Sequence, residues 1–73
     1  MSLKVKCRKT RDPIYWREKC IDKIILAIGS DKHETALAIY LSETIFSDES
    51  FEKRLDKAME RLSKEFNVEI EIE

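Results

Sequence analysis

From Leu3 to Arg8 the chain alternates apolar residues (Leu3, Val5, Cys7) with cations (Lys4, Lys6, Arg8). That period of two sends successive side chains to opposite faces of a strand and predicts one over 3–10. Asp12-Pro13 then reads as a helix start, with Asp as N-cap and Pro at the first helical position. Ile14, Cys20, Ile21, Ile24, Ile25 and Ile28 follow at helical spacing, widened by Tyr15, Trp16, Leu26 and Ala27, and predict a helix over 13–28 that Gly29 ends. A stripe that wide needs cover on more than one side.

Ser30-Asp31-Lys32-His33-Glu34 opens a second helix over 31–46, with Asp31 and Glu34 spaced as a capping box and Ser30 as the competing cap. Its run Ala36-Leu37-Ala38-Ile39-Tyr40-Leu41 is apolar almost all round, which predicts a central position. Ser47-Asp48-Glu49-Ser50 breaks the pattern and starts a third helix over 51–66. There Phe51, Leu55, Ala58/Met59, Leu62 and Phe66 form one narrow stripe among mixed charges, the mark of a surface helix. After Asn67, Val68 to Glu73 alternates strictly and reads as a short strand or tail. The predicted order is strand, helix, helix, helix, short strand, in one domain. A lone strand is not stable in water, so the first must pair with the chain's far end or with its own copy in a second chain. The apolar excess of the first two helices points to the second option and an obligate dimer.

Composition agrees with a small folded domain: 73 residues, 42% hydrophobic and 40% charged, with one Gly and one Pro, are too apolar and patterned for disorder. The net charge of -1 conceals an asymmetry. Residues 1–11 carry Lys4, Lys6, Arg8, Lys9 and Arg11 with no acid, whereas the rest holds 9 basic and 15 acidic residues. A basic arm on an acidic body fits an anionic partner met at one place or, equally on charge alone, a solvated strand face. Neither a signal sequence nor a membrane-length apolar run is visible, so the expectation is a cytoplasmic protein without membrane contact.

Chemistry is sparse. Cys7 and Cys20 are in neither redox-motif nor metal-ligand spacing and read as two small buried hydrophobes rather than a disulfide, which an intracellular chain carries only if it comes from a hyperthermophile. His33 stands alone as an exposed helix-start residue. The serines read as caps, and no nucleophile–base–acid set or Gly-rich phosphate loop is present. The expectation is no enzyme, no metal and no cofactor. Trp16 and Tyr15 beside Arg11 and Arg17 read as packing rather than as a base-stacking platform.

The alternation Lys4-x-Lys6-x-Arg8, with Gly29-Ser30-Asp31-Lys32-His33-Glu34 followed by the apolar helix, resembles the ribbon-helix-helix repressors of the Arc, MetJ and CopG type. The likeness spans residues 3–46, a module over 1–46, with 47–73 as a C-terminal extension. It implies a mainly α homodimer whose two N-terminal strands pair as an intermolecular antiparallel ribbon in the major groove of double-stranded DNA. The function implied is sequence-specific transcription regulation. Lys4, Lys6 and Arg8 then match base-reading positions, since Lys and Arg donate to guanine edges. Gly29, Ser30, Asp31 and Lys32 match the turn and helix start that meet backbone phosphate. Lys9 and Arg11 add backbone contacts from the connection. The acids Asp31 and Glu34, the long connection and the third helix depart from the family pattern. Length, charge and the added helix are similar to ribbon-helix-helix proteins of spindle-shaped viruses of hyperthermophilic archaea, which implies a thermostable viral protein in the host cytoplasm. A second reading is a dimeric protein-interaction module, antitoxin-like or host-factor-binding, using the third helix and acidic tail. A third is a monomeric α+β fold with the two terminal segments paired.

Overall fold

The computed structural model describes residues 3–45 and 48–73. The chain runs β1 (Leu3–Cys7), α1 (Pro13–Ile28), a one-turn 3-10 segment (Ser30–Lys32), α2 (His33–Ile45), α3 (Phe51–Phe66) and β2 (Val68–Ile72). Three helices and a short strand pair make a mostly helical domain. Phe46 and Ser47, the predicted end of the second helix and the start of the next break, lie outside the described residues.

Local chemistry accounts for the element ends. The Asp12 carboxylate accepts from the N–H groups of Ile14 and Tyr15 at 3.0 and 3.1 Å, capping α1 as its position predicts. Gly29 ends α1 at φ +96°, where a side chain would be strained. The Ser50 hydroxyl accepts from the Lys53 N–H at the start of α3, and Asn67 closes that helix in the left-handed conformation. Two boundaries differ from expectation. α2 starts at His33, not at 31, because the N–H groups of Lys32 and His33 bond back to Gly29 and Ser30 and tighten the entry into a 3-10 turn. The Asp31–Glu34 capping box does not form among the described contacts. β1 stops at Cys7, not Thr10, since the bond from the Glu73 N–H to the Cys7 carbonyl is the last rung beside it.

The larger difference is the partner of β1. It pairs with β2 of its own chain, and in parallel: Leu3↔Val68, Lys4↔Glu69, Val5↔Ile70, Lys6↔Glu71, Cys7↔Ile72. The three helices supply the long crossover that parallel strands require. This register sets apolar beside apolar and cation beside carboxylate, and a slip of one residue would oppose lysine to isoleucine. An antiparallel β1–β1 pair would instead set cations against cations. The Lys4 ammonium meets the Glu71 carboxylate at 2.9 Å, and that hydrogen bond, with the charges of Glu71 and Glu69, raises the lysine's pKa.

α3, whose narrow stripe predicts a surface helix, supplies the centre of the core. Leu55, Ala58 and Leu62 are fully buried, and α3 packs on α1, α2 and β2. α2, predicted to be central, buries only Ala36, Ile39 and Thr44 and leaves Leu37, Leu41 and Ile45 exposed. Arg54 of α3 staples the two helices by donating to the carbonyls of Thr44 and Glu49, the first among the last four of α2, which have no partner within the helix. Trp16 is buried and Tyr15 exposed.

Tyr40, between α2 and α1, has its pKa raised first by burial and then by the carboxylates of Glu18 and Asp22. A group whose pKa is higher folded than unfolded contributes stability below the unfolded value, about 10 for tyrosine, and loses it as pH rises through the folded value. Urea midpoints measured across that range are therefore expected to fall more steeply for the wild type than for Tyr40→Phe. Parallel curves would refute the packing assigned to Tyr40.

Candidate nucleic-acid interface

The outer face of the strand pair is not a purely basic surface. Lys4 and Lys6 lie in register with Glu69 and Glu71, so two candidate base readers share their face with a row of carboxylates. Arg8 lies past the last rung, at the start of the connection that carries Lys9 and Arg11.

That connection faces one side of α1. Residues 16, 19/20 and 23 are successive neighbours along a helix, and there Trp16, Lys19, Cys20 and Lys23 border β1. Cys7 and Cys20 form a disulfide, Cα atoms 5.4 Å apart, so the two small buried hydrophobes are also a covalent tie between β1 and α1. Lys23 Nζ donates to the Lys6 carbonyl at 3.0 Å. That carbonyl points away from β2: the bonds from Leu3 N–H to Asn67 and from Glu73 N–H to Cys7 aim the odd-numbered β1 residues at β2 and the even-numbered ones at the opposite edge. Over the disulfide lies an open cleft of about 180 Å³ lined by Cys7, Arg8, Trp16, Lys19, Cys20 and Lys23. Three cations and an indole ring line it, with no acid. Lys9 Nζ stands 5.7 Å from the centre of the Trp16 ring. Arg17 covers the same ring at 4.3 Å and is held there by Glu52 and Asp56 at 3.0 and 2.6 Å.

Ion pairing is uneven over the molecule. Lys4, Arg17, Lys57, Arg61 and Lys64 each pair with a carboxylate. Among the described contacts none of Lys6, Arg8, Lys9, Arg11, Lys19 and Lys23 does. All six lie on β1, its connection or the adjoining side of α1; Lys32 on the 3-10 turn and Lys53 and Arg54 on α3 pair with no carboxylate among the described contacts either, and are dispersed. The structure thus brings Arg8 beside Lys19 and Lys23, which sequence reasoning missed, with Lys9 at the adjoining Trp16 ring and the Lys6 carbonyl bonded to Lys23. Their signal was present: cations four apart, in step with Trp16 on one helical line.

The other half of the predicted site stands apart. Gly29, Ser30, Asp31 and Lys32 lie beyond the far end of α1, and sixteen helical residues span about 24 Å. The Lys32 N–H is bonded to the Gly29 carbonyl at 3.2 Å and the His33 N–H to Ser30, so neither is free for an anion. The Asp31 carboxylate lies against Gly29, 3.0 Å from where a Cβ would sit, and sets a negative charge on the turn.

Among the described residues no three or more His, Cys, Asp or Glu side chains group as metal ligands, and no helix is long and apolar enough to cross a membrane. Comparison with protein-family models, curated proteins and solved structures finds no match to this chain.

Proposed function

We propose that the chain is a non-enzymatic regulator that binds double-stranded DNA as a homodimer. The observation that carries this reading is the concentration of six cations without acid partners on β1, its connection and one side of α1, with a cleft there that three cations and no acid line. Phosphates repeat closely along a duplex, and cations in a row displace the counterions held there. Arg8, Lys9, Arg11, Lys19 and Lys23 are the phosphate contacts in this reading, with Lys6 the candidate for a base edge.

The ribbon-helix-helix version of the proposal adds an antiparallel β1–β1 ribbon along the edge of β1 away from β2, with Lys4, Lys6 and Arg8 of both chains in the groove. The Glu69 and Glu71 row weighs against it, because those carboxylates share the face that would enter the groove. The basic side of α1 is the stronger form of the reading.

Fluorescence anisotropy with a labelled duplex, run across a salt series, tests it. Wild type is expected to bind with log affinity falling linearly in log salt. Each phosphate contact contributes roughly 0.9 to that slope, so Arg8→Ala/Lys19→Ala/Lys23→Ala is expected to flatten it by about 2.7 while keeping the wild-type circular dichroism. A folded triple variant with an unchanged slope, or a wild type that ignores duplex at low salt, would sink the proposal. The acidic tail of the protein-interaction reading is the strand beside β1, with Val68 buried, and that weighs against its serving as a free binding segment.

A further inference from the structure

The exposed side of α2 is the longest stretch of described sequence over which the exposed positions carry no charge. Charged residues make up 40% of the sequence, yet the exposed positions from Thr35 to Ile45 carry none. They are Thr35, Leu37, Ala38, Leu41, Ser42 and Ile45. The charged residue within that span, Glu43, is half-buried and turned to Arg61 on α3 at 2.8 Å. Leu37, Leu41 and Ile45 are 48, 47 and 60% exposed and fall at i, i+4 and i+8, so they form one line on the helix. Nothing within the described chain covers them.

We propose that this face of α2 is a symmetric dimer interface whose occupant is α2 of a second copy. Charge and spacing both select that occupant. A two-fold interface sets each surface patch against itself, so any charge near the axis meets its own sign; a face free of charge escapes that penalty. The line of three large side chains is also symmetric about its middle member. An antiparallel crossing with the axis at Leu41 sets Leu37 of each copy beside Ile45 of the other, and the small side chains Ala38 and Ser42 let the backbones approach. A helix of thirteen residues is about 20 Å long, and one side of it supplies only part of the roughly 800 Å² per partner in a standard interface. The dimer is therefore reversible and concentration-dependent. It leaves β1 and the basic side of α1 of both copies open.

This inference deepens the homodimeric part of the proposed function and rests on it. Its test contains no DNA, so failure of dimerisation and failure of DNA binding are scored separately. Sedimentation equilibrium of the full chain from about 10 μM to 1 mM is expected to show mass rising from one chain toward two. Leu41→Glu, at a position already exposed, is expected to keep the wild-type helix signal and move the midpoint at least tenfold higher. In the native chain both cysteines are in the disulfide; Leu41→Cys is therefore expected to cross-link to itself on mild oxidation, and Lys64→Cys on α3 is not. A chain that stays monomeric at 1 mM overturns the proposal. So does a dimer that ignores Leu41→Glu, which would place the contact elsewhere, the open edge of β1 included.

Discussion

Reduction of the Cys7–Cys20 disulfide is expected to lower folding stability by about 3 kcal/mol, the size assigned to closing a loop of roughly fifteen residues. The cysteines are thirteen positions apart, and the loop between them holds the whole connection and the first half of α1. Unlinked, the denatured chain regains that freedom, whereas the folded chain keeps both side chains buried among apolar neighbours. In a domain of this size such a loss moves the melting temperature by about 10–25 °C. Urea unfolding of oxidised protein, reduced protein and Cys7→Ala/Cys20→Ala is the measurement. The reduced and double-alanine forms are expected to agree in direction and to show a larger denaturant slope than the oxidised form, because their unfolded states expose more surface. Equal midpoints for oxidised and reduced protein would show that the bridge does not constrain the fold. The same tie sets Arg8 beside Lys19 and Lys23, so the reduced protein is also the one in which the basic cleft is least ordered.

Leu62→Ala is expected to cost about 2–5 kcal/mol, the range for emptying a leucine site in a core. Leu62 is wholly buried on α3, within the cluster that also holds Ile24, Leu55 and Val68. Leu26→Ala serves as the internal control: Leu26 is 74% exposed on α1 and is expected to change stability by no more than about 0.5 kcal/mol. A domain of this length has a total stability of about 4–11 kcal/mol at the usual value per residue. Leu62→Ala in the reduced state loses about 5–8 kcal/mol in all and is therefore expected to show a larger unfolded fraction at room temperature than either change alone. If Leu26→Ala proved as costly as Leu62→Ala under conditions where the chain is monomeric, the assignment of α3 to the core would fail.

These expectations separate features that local sequence carries from features that it does not. Asp12-Pro13, Gly29, Ser50 and Asn67 mark helix ends because capping and positive φ depend on a few adjacent residues. The periods of two and of three to four mark strands and helices because they follow from backbone geometry alone. The order of elements was legible on those grounds, and so was the basic arm of residues 4–11.

Faces and partners were another matter. A wide apolar stripe shows that a helix can be covered on several sides, not which side is covered. α1 uses most of its stripe; α2 leaves Leu37, Leu41 and Ile45 uncovered. The narrow stripe of α3 was the better guide to burial, since a helix with one apolar line has one way to face a core. That line packs against α1, α2 and β2 together.

The pairing of β1 with β2 joins residues more than sixty positions apart, and two strand candidates of matching charge leave both the intrachain and the interchain solution open until three helices return the chain to its start. The closure of Cys7 on Cys20, and the meeting of Arg8 with Lys19 and Lys23, depend on that same return. Period and capping are properties of neighbours along the chain. Pairing, burial and the gathering of charge belong to contacts between distant segments, whose free energy appears only when the elements are packed.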